Sequence, residues 1–357
     1  MNKIDIKKIG FTHRFTTEAS LYAGFYPARV VFQSKNLYRV ICDHGEKIAQ
    51  VSGKFRYEAK TPSDFPAVGD FVMISGEEND NAIIHHVLSR KSAFIRKAAG
   101  TSMVEQIVAA NIDTLFICMS LNNDFNLRRL ERYLSIAWDS GAIPVVVLTK
   151  SDLCEDVEKL LHEAYSVSIG VDVLVTSAIH EDSYNQIYQY LKEGETVAFI
   201  GSSGVGKSTL INGLIGKEKQ LINGLRNDDK GRHTTTNREL ILLENGGMVI
   251  DTPGMRELGL ENADLSKTFS DIDDLAAMCK FSDCSHTTEP GCAVQKAIKD
   301  GTLPYERFLN YEKLKKEAKY DGLESRQIEA LKINDMFGGF GGMKTARKFV
   351  KEKNKRR

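Results

Sequence analysis

Residues 196–215, Thr-Val-Ala-Phe-Ile-Gly-Ser-Ser-Gly-Val-Gly-Lys-Ser-Thr-Leu-Ile-Asn-Gly-Leu-Ile, carry the reading on which the fold rests. Thr196 to Ile200 is a short apolar strand and Lys207 to Ile215 reads as a helix. At their junction Gly201, Ser202, Ser203, Gly204, Val205, Gly206, Lys207, Ser208 and Thr209 satisfy G-x-x-x-x-G-K-S/T. The spacing has a mechanical cause. The glycines let backbone N–H groups converge on phosphate oxygens, Lys207 reaches the β and γ oxygens, and the Ser208 hydroxyl is placed to ligate Mg²⁺. A strand before the loop and a helix after it are the context this chemistry needs.

Working outward, four further pieces select the base and complete the site. Asp251-Thr-Pro-Gly254 follows the strand Gly-Met-Val-Ile. Asp251 can hold Mg²⁺ through water, and the Gly254 N–H can approach the γ-phosphate. Thr149-Lys150-Ser151-Asp152 ends the strand Ala-Ile-Pro-Val-Val-Val-Leu-Thr. The Asp152 carboxylate can accept from guanine N1 and N2, which adenine cannot offer, while the stem of Lys150 lies along base and ribose. Ser177 and Ala178 end the next strand, where a backbone N–H near Ala178 can donate to guanine O6. Arg232-His233-Thr234-Thr235-Thr236 lies between the phosphate loop and Asp251, the place for a loop that closes on Mg²⁺ and γ-phosphate through one or more of Thr234, Thr235 and Thr236, with Thr235 the first candidate. Taken singly these patterns are weak. Together, at the ends of successive sheet strands where α/β ligands bind, they point to GTP.

The surrounding pattern supplies that sheet. Asn-Ile-Asp-Thr-Leu-Phe-Ile-Cys-Met-Ser from Asn111 is a continuous apolar run, as a strand covered on both faces requires. Helical segments at 127–139, 155–165 and 184–191 alternate with strands, which implies a parallel α/β sheet. Arg238 to Glu244 and Gly247 to Asp251 read as an antiparallel pair joined at Asn245-Gly-Gly. The order is unusual: the base-reading segments precede the phosphate loop, so the domain is circularly permuted. This order also runs Asp251 within a few residues into the C-terminal region, so a shift of Gly254 to Leu260 would pull on the cysteine-rich segment at 279–292.

Upstream, five short strands rich in Val, Ile and aromatics lie between Ala28 and Leu88. They suit a small barrel of the OB type, and a five-stranded SH3-like barrel would read the same. Met1 to Tyr26 carries no readable signal. Downstream, Cys279, Cys284, His286 and Cys292 offer three thiolates and an imidazole, a set suited to structural tetrahedral Zn²⁺. By spacing alone, free cysteines in a small core are the alternative. Pro304 to Tyr320 reads as an amphipathic helix, and the last fourteen residues carry eight Lys or Arg and one Glu. That tail suits either phosphate backbones or simple solubilisation. Lys54-Phe-Arg-Tyr57 suggests an exposed base-stacking strand, Arg90, Lys91, Arg96 and Lys97 add basic charge nearby, and His85-His86 reads as strand packing. Cys42, Cys118 and Cys154 read as core residues.

The chain has 357 residues, 48 basic and 48 acidic, which excludes a uniformly basic nucleic-acid coat and leaves room for local patches. No apolar run approaches the roughly 20 residues of a bilayer span. The N-terminus lacks the apolar core of a secretory signal. A cytoplasmic protein without membrane contact is expected, most simply a monomer. The expected division is an arm over 1–27, an OB-like barrel over 28–98, a permuted α/β P-loop GTPase domain over 99–262, a mainly helical zinc-binding domain over 263–337 and a basic tail over 338–357.

The motifs at 201–209 (GSSGVGKST), 231–236 (GRHTTT), 251–255 (DTPGM) and 279–294 (the Cys-Cys-His-Cys knot ending Glu-Pro-Gly-Cys-Ala-Val), in this order behind a barrel, resemble the RsgA (YjeQ/YloQ-type) family over about residues 28 to 320. The resemblance implies GTP hydrolysis stimulated by the small ribosomal subunit during its late maturation, with rRNA contact. Two departures from general GTPase patterns stand out. Thr149 replaces an Asn whose carboxamide braces the phosphate loop, which predicts modest nucleotide affinity. Met255 stands where many GTPases place a water-orienting Gln, so another group must do that work. His233, singled out in the resembling family, is the nearest candidate; a solvated loop residue is the alternative. Two rival functions remain: a GTP-gated RNA-binding switch acting on another RNA with negligible turnover, and a P-loop ATPase, against which Asp152 argues.

Overall fold

The structure is a computed structural model and describes residues 4–34, 37–76, 81–97, 105–177, 182–216, 238–251 and 265–319. The N-terminal segment is part of the core. A 3-10 turn at Ile6–Ile9 is capped by Asp5, whose carboxylate accepts the Lys7 N–H, and helix α1 follows at His13–Ala19. Ile6, Ile9, Phe11 and Phe15 are buried, and Phe11 and Phe15 pack on Phe71 with ring centroids 5.3 and 4.4 Å away.

The strands Tyr26–Ser34 (β1), Leu37–Cys42 (β2) and Gly45–Val51 (β3) come next, then helix Gly53–Glu58 (α2), and strands Phe71–Ser75 (β4) and Asn81–Val87 (β5). Strand β3 alternates buried and exposed side chains along its whole length, the period of two that one covered face demands. The order is β1-β2-β3-β5-β4, closed by β4 against β1, with β3 and β5 parallel and the other pairs antiparallel. Val30, Val40, Ala49, Val72 and Ile84 fill the interior. This is the five-stranded OB-like closure. The expected base-stacking strand at Lys54 to Tyr57 is a helix instead: the Ser52 hydroxyl accepts the Phe55 N–H and starts α2 before any strand can form. Two of the four nearby basic residues are also neutralised. Arg90 pairs with the buried Asp70 at 2.7 Å and Lys91 with Asp113 at 2.5 Å. His85 and His86 stack on Phe25 and Tyr22, as strand packing requires.

A hairpin of Ala93–Lys97 (β6) and Glu105–Ala110 (β7) follows, so the expected boundary near 98 falls between two paired strands. The α/β part then runs Thr114–Ser120 (β8), Leu127–Asp139 (α3), Ile143–Thr149 (β9), Val157–Val167 (α4), Asp172–Val175 (β10), Asp182–Tyr188 (α5), Thr196–Ile200 (β11), Lys207–Gly216 (α6), Arg238–Leu242 (β12) and Met248–Asp251 (β13). Its strand order is β10-β9-β8-β11-β13-β12, parallel except for β12. Strands β8 and β11 are buried throughout, because helices cover both faces.

Two features join barrel and α/β sheet. Strand β12 pairs antiparallel with β1, Phe32 facing Glu239 and Gln33 facing Arg238, so one hydrogen-bonded sheet runs through both. Arg29 of β1 is fully buried and donates to the carbonyls of Ile9, Gly69 and Asn111 and to Thr196 Oγ1, tying arm, barrel and nucleotide domain together. Burial lowers its pKa to about 10, which leaves it charged at neutral pH.

The C-terminal part consists of helices Leu265–Thr268 (α7), Ser270–Ala277 (α8), Ala293–Lys299 (α9) and Tyr305–Lys319 (α10). It is seated on α3 through a buried ionic cluster. Glu131 accepts from Arg128 at 2.7 Å, Arg307 at 2.5 Å and Asn310 at 2.6 Å, and Arg307 also pairs with Asp271 at 2.7 Å. Among the described residues no helix is long and apolar enough to cross a membrane.

Candidate nucleotide site and metal centre

The phosphate loop connects β11 to α6 at the C-terminal edge of the sheet, where ligands bind in open α/β folds. Gly201 must be glycine there. It adopts φ +143°, and a Cβ would lie 2.4 Å from the Cys118 carbonyl oxygen of β8. Gly204 and Gly206 also take positive φ, at 77° and 105°. Lys207 Nζ donates to the carbonyls of Gly201 and Ser202, both at 2.6 Å, which folds the ammonium over the mouth of the loop. Ser203, Gly204, Ser208 and Thr209 are exposed, so the loop face and the first turn of α6 are open to a ligand.

Thr149 corrects one expectation. Its hydroxyl donates to the Val205 carbonyl at 2.5 Å. A hydroxyl supplies the brace that a carboxamide gives elsewhere, so a Thr here does not by itself loosen the loop.

The segments at 149–152 and 176–177, expected to read the base, lie together at one sheet edge. Strands β9 and β10 are parallel neighbours, and both end at the same edge. Lys150 adopts the left-handed conformation (φ 59°), which swings the chain into a 3-10 turn over Ser151–Leu153. A non-glycine residue held there is uncommon. The Ser151 N–H donates to the Thr176 carbonyl, and Ser177 Oγ donates to Asp152 Oδ1 at 2.5 Å. The Ser177 hydroxyl therefore fixes one carboxylate oxygen of Asp152. Asp251 ends β13, directly beside the strand that delivers the loop. Ala178, His233, Thr235, Gly254 and Met255 lie outside the described residues, as do the other switch threonines and the basic tail.

Sequence reading missed Arg129. From the first turn of α3 its Nη1 donates to Ser202 Oγ at 2.5 Å and to both Asp124 carboxylate oxygens at 2.9 Å. Only the unusual pairing of Arg128 and Arg129 at a helix start was visible beforehand.

The cysteine cluster is compact. The donor atoms of Cys279, Cys284, His286 and Cys292 all lie within 4.8 Å of one another. The Cys279–Cys292 sulfur distance is 3.9 Å, and His286 Nδ1 lies 3.6 Å from each of those sulfurs. A tetrahedral ion with Zn–S about 2.3 Å and Zn–N about 2.05 Å has S···S edges of about 3.8 Å and S···N edges of about 3.6 Å. The residues fit Zn²⁺. His286 adopts φ 57°, which aims the ring inward, and its carbonyl accepts from Gln295 Nε2 at 2.6 Å. Cys292 caps α9 by accepting the Gln295 N–H. Desolvation opposes ionisation of Cys279, but hydrogen bonds from the Val294 and Ala293 N–H groups and from the Cys292 and Cys284 thiols together lower its pKa. Desolvation first, then hydrogen bonds and charge from the neighbouring thiols, raise Cys284 to about 11. Cys42 and Cys118 are buried in strands, far from this chemistry.

Comparison with known proteins agrees with this geometry. The RsgA GTPase family model matches residues 87–261. The chain is 50% identical to the small ribosomal subunit biogenesis GTPase RsgA 2 of Lactiplantibacillus plantarum over 342 residues, 96% of this chain and 97% of that protein. It is 45% identical to RsgA 1 of Listeria innocua over 318 residues, 88% of this chain and 90% of the relative. Among solved structures, YjeQ from Thermotoga maritima aligns with TM-score 0.63 at 28% identity, covering 82% of this chain and 98% of that one. YloQ, described as a circularly permuted GTPase, aligns with TM-score 0.62 at 27% identity, covering 84% and 96%. With its barrel, permuted α/β domain and Cys₃His knot in the same order, the chain belongs to the RsgA GTPase family.

Proposed function

We propose that this protein hydrolyses GTP to GDP and phosphate, and that it does so on the small ribosomal subunit during late maturation of that particle. The observation that carries the nucleotide reading is the joined site. Thr149, the residue that starts the base-reading turn, also grips the phosphate loop, and Ser177 orients the Asp152 carboxylate from the next strand. The ribosomal reading rests on relatives that carry that name over nearly the whole chain.

The roles follow from the chemistry. The N–H groups between Gly201 and Thr209 bind phosphate oxygens, and Lys207 neutralises them. Asp152 accepts from guanine N1 and N2, Lys150 covers the base, and the N–H near Ala178 donates to O6. Ser208, Asp251 and Thr235 offer the hard oxygen donors that Mg²⁺ prefers, and the bound ion would neutralise charge on the β and γ phosphates. Gly254 approaches the γ-phosphate. His233 orients the attacking water that Met255 cannot polarise. Zn²⁺ on Cys279, Cys284, His286 and Cys292 is structural, since four protein ligands leave no open position. The barrel and zinc domain dock on rRNA, the basic tail adds phosphate contacts, and hydrolysis times release.

Asp152→Asn tests the base assignment. An amide in place of the carboxylate donates where guanine also donates, so GDP affinity falls by about a hundredfold or more, while xanthosine diphosphate, with a carbonyl at C2, gains. Unchanged GDP binding, or displacement of GDP by ATP from the native protein, would remove the guanine reading.

A further inference from the structure

Lysine and arginine are unfavourable at a helix N-terminus, where the macrodipole is positive. Helix α3 nonetheless carries Arg128 and Arg129 in its first turn, directly after Leu127, and has no acidic residue there. Arg128 is spent on Glu131, within the cluster that seats the C-terminal helices. Arg129 points the other way, to the phosphate loop.

Its surroundings are built rather than casual. Asn122 Oδ1 accepts the Asp124 N–H and the Ser120 hydroxyl, and Asn126 caps α3 by accepting the Arg129 N–H. Both ends of the segment are therefore fixed. The Asp124 carboxylate takes one Nη1 hydrogen across its two oxygens at 2.9 Å, and its carbonyl accepts from Nη2 at 3.2 Å. The other Nη1 hydrogen goes to Ser202 Oγ at 2.5 Å. Ser202 is thus held at both ends, by Arg129 on its hydroxyl and by Lys207 on its carbonyl. Thr149 holds the far shoulder at Val205.

We propose that Arg129, kept in place by Asp124, is a positioning residue of the nucleotide site that acts through the Ser202 hydroxyl to hold the phosphate loop in its binding shape. The inference rests on the reading of this site as a guanine-nucleotide site. The guanidinium matters for geometry as well as charge, because a fork can bridge a carboxylate and a hydroxyl while a lysine ammonium cannot hold the same plane.

The test is equilibrium titration of GDP and steady-state GTP turnover for the full-length protein and for Arg129→Gln, Ser202→Ala, the double variant and Arg129→Lys. Each single change to Gln or Ala is expected to weaken GDP about tenfold, as for loss of a charge-assisted hydrogen bond. KM for GTP rises and kcat stays within about twofold, the pattern of lost uniform binding. The double variant binds no worse than the weaker single, because both remove one interaction. Arg129→Lys recovers less than half of the loss. Should Arg129→Gln fold poorly, Ser202→Ala removes only the acceptor and still tests the link. Additive losses, or native GDP affinity in Ser202→Ala, overturn the proposal while leaving the nucleotide site intact. Absence of GDP binding by the native protein overturns both this and the reading beneath it.

Discussion

Thr149 shows how much one hydroxyl decides. From motif spacing, a Thr in place of the usual Asn looked like a lost brace, yet its hydroxyl reaches the Val205 carbonyl at 2.5 Å. Thr149→Val keeps the shape and deletes that bond. It should cost about 1 kcal/mol of nucleotide binding, a roughly fivefold rise in the GDP dissociation constant, read by isothermal titration. No change would mean that the backbone alone holds the loop. The glycine pattern, by contrast, was legible directly, since the Cys118 carbonyl leaves no room for a Cβ at Gly201. Local chemistry of this kind is written in adjacent letters. The Thr149–Val205 and Arg129–Ser202 bonds join residues 56 and 73 positions apart, and nothing in a linear motif announces them.

At the scale of elements, the seating of the C-terminal helices on α3 rests on charges that have left water. Arg307 and Glu131 are both almost fully buried and meet at 2.5 Å. Arg307→Met leaves Glu131 with only Arg128 and Asn310 and strips a partner from Asp271. A loss of about 3 kcal/mol is expected in chemical denaturation, the cost of removing one member from a buried ion cluster. An unchanged midpoint would show that the cluster contributes no net stability. The cysteine-rich loop offers a pH-dependent case. Hydrogen bonds from the Ser285 side chain, the Ser285 N–H, Glu289's own N–H and then the Thr287 N–H hold the Glu289 pKa at about 2, against an ordinary 4.5. A depressed carboxylate contributes stability that is present above its unfolded value and lost as pH falls through the folded one. Glu289→Gln should therefore lower the unfolding midpoint at neutral pH, and the gap to the native protein should close as pH falls from about 4.5 towards 2. A gap independent of pH would count against that role. Strand and helix periods made most elements readable. Two were not. Lys54 to Tyr57 forms a helix because Ser52 caps it, and the arm folds because Phe11 and Phe15, one helical turn apart, find Phe71 across the chain.

For the whole molecule, the permuted order has a consequence visible in the sheet. Strand β12, which follows the segment carrying His233 to Thr236, pairs with β1 of the barrel, and Arg39 of β2 bonds Glu239 at 2.6 Å. Strand β13, which ends in Asp251, sits between that strand and the phosphate-loop strand. Barrel, strands β12 and β13 and the phosphate-loop strand thus share one hydrogen-bonded sheet, while α3 ties the same domain to the C-terminal helices. The most direct test is GTP turnover by the purified protein at moderate salt, alone, with small ribosomal subunits and with large ones. Slow turnover alone and a large rise with small subunits only is the expected result. Turnover that stays low with small subunits, or rises equally with large ones, would contradict a GTPase that works on the small subunit.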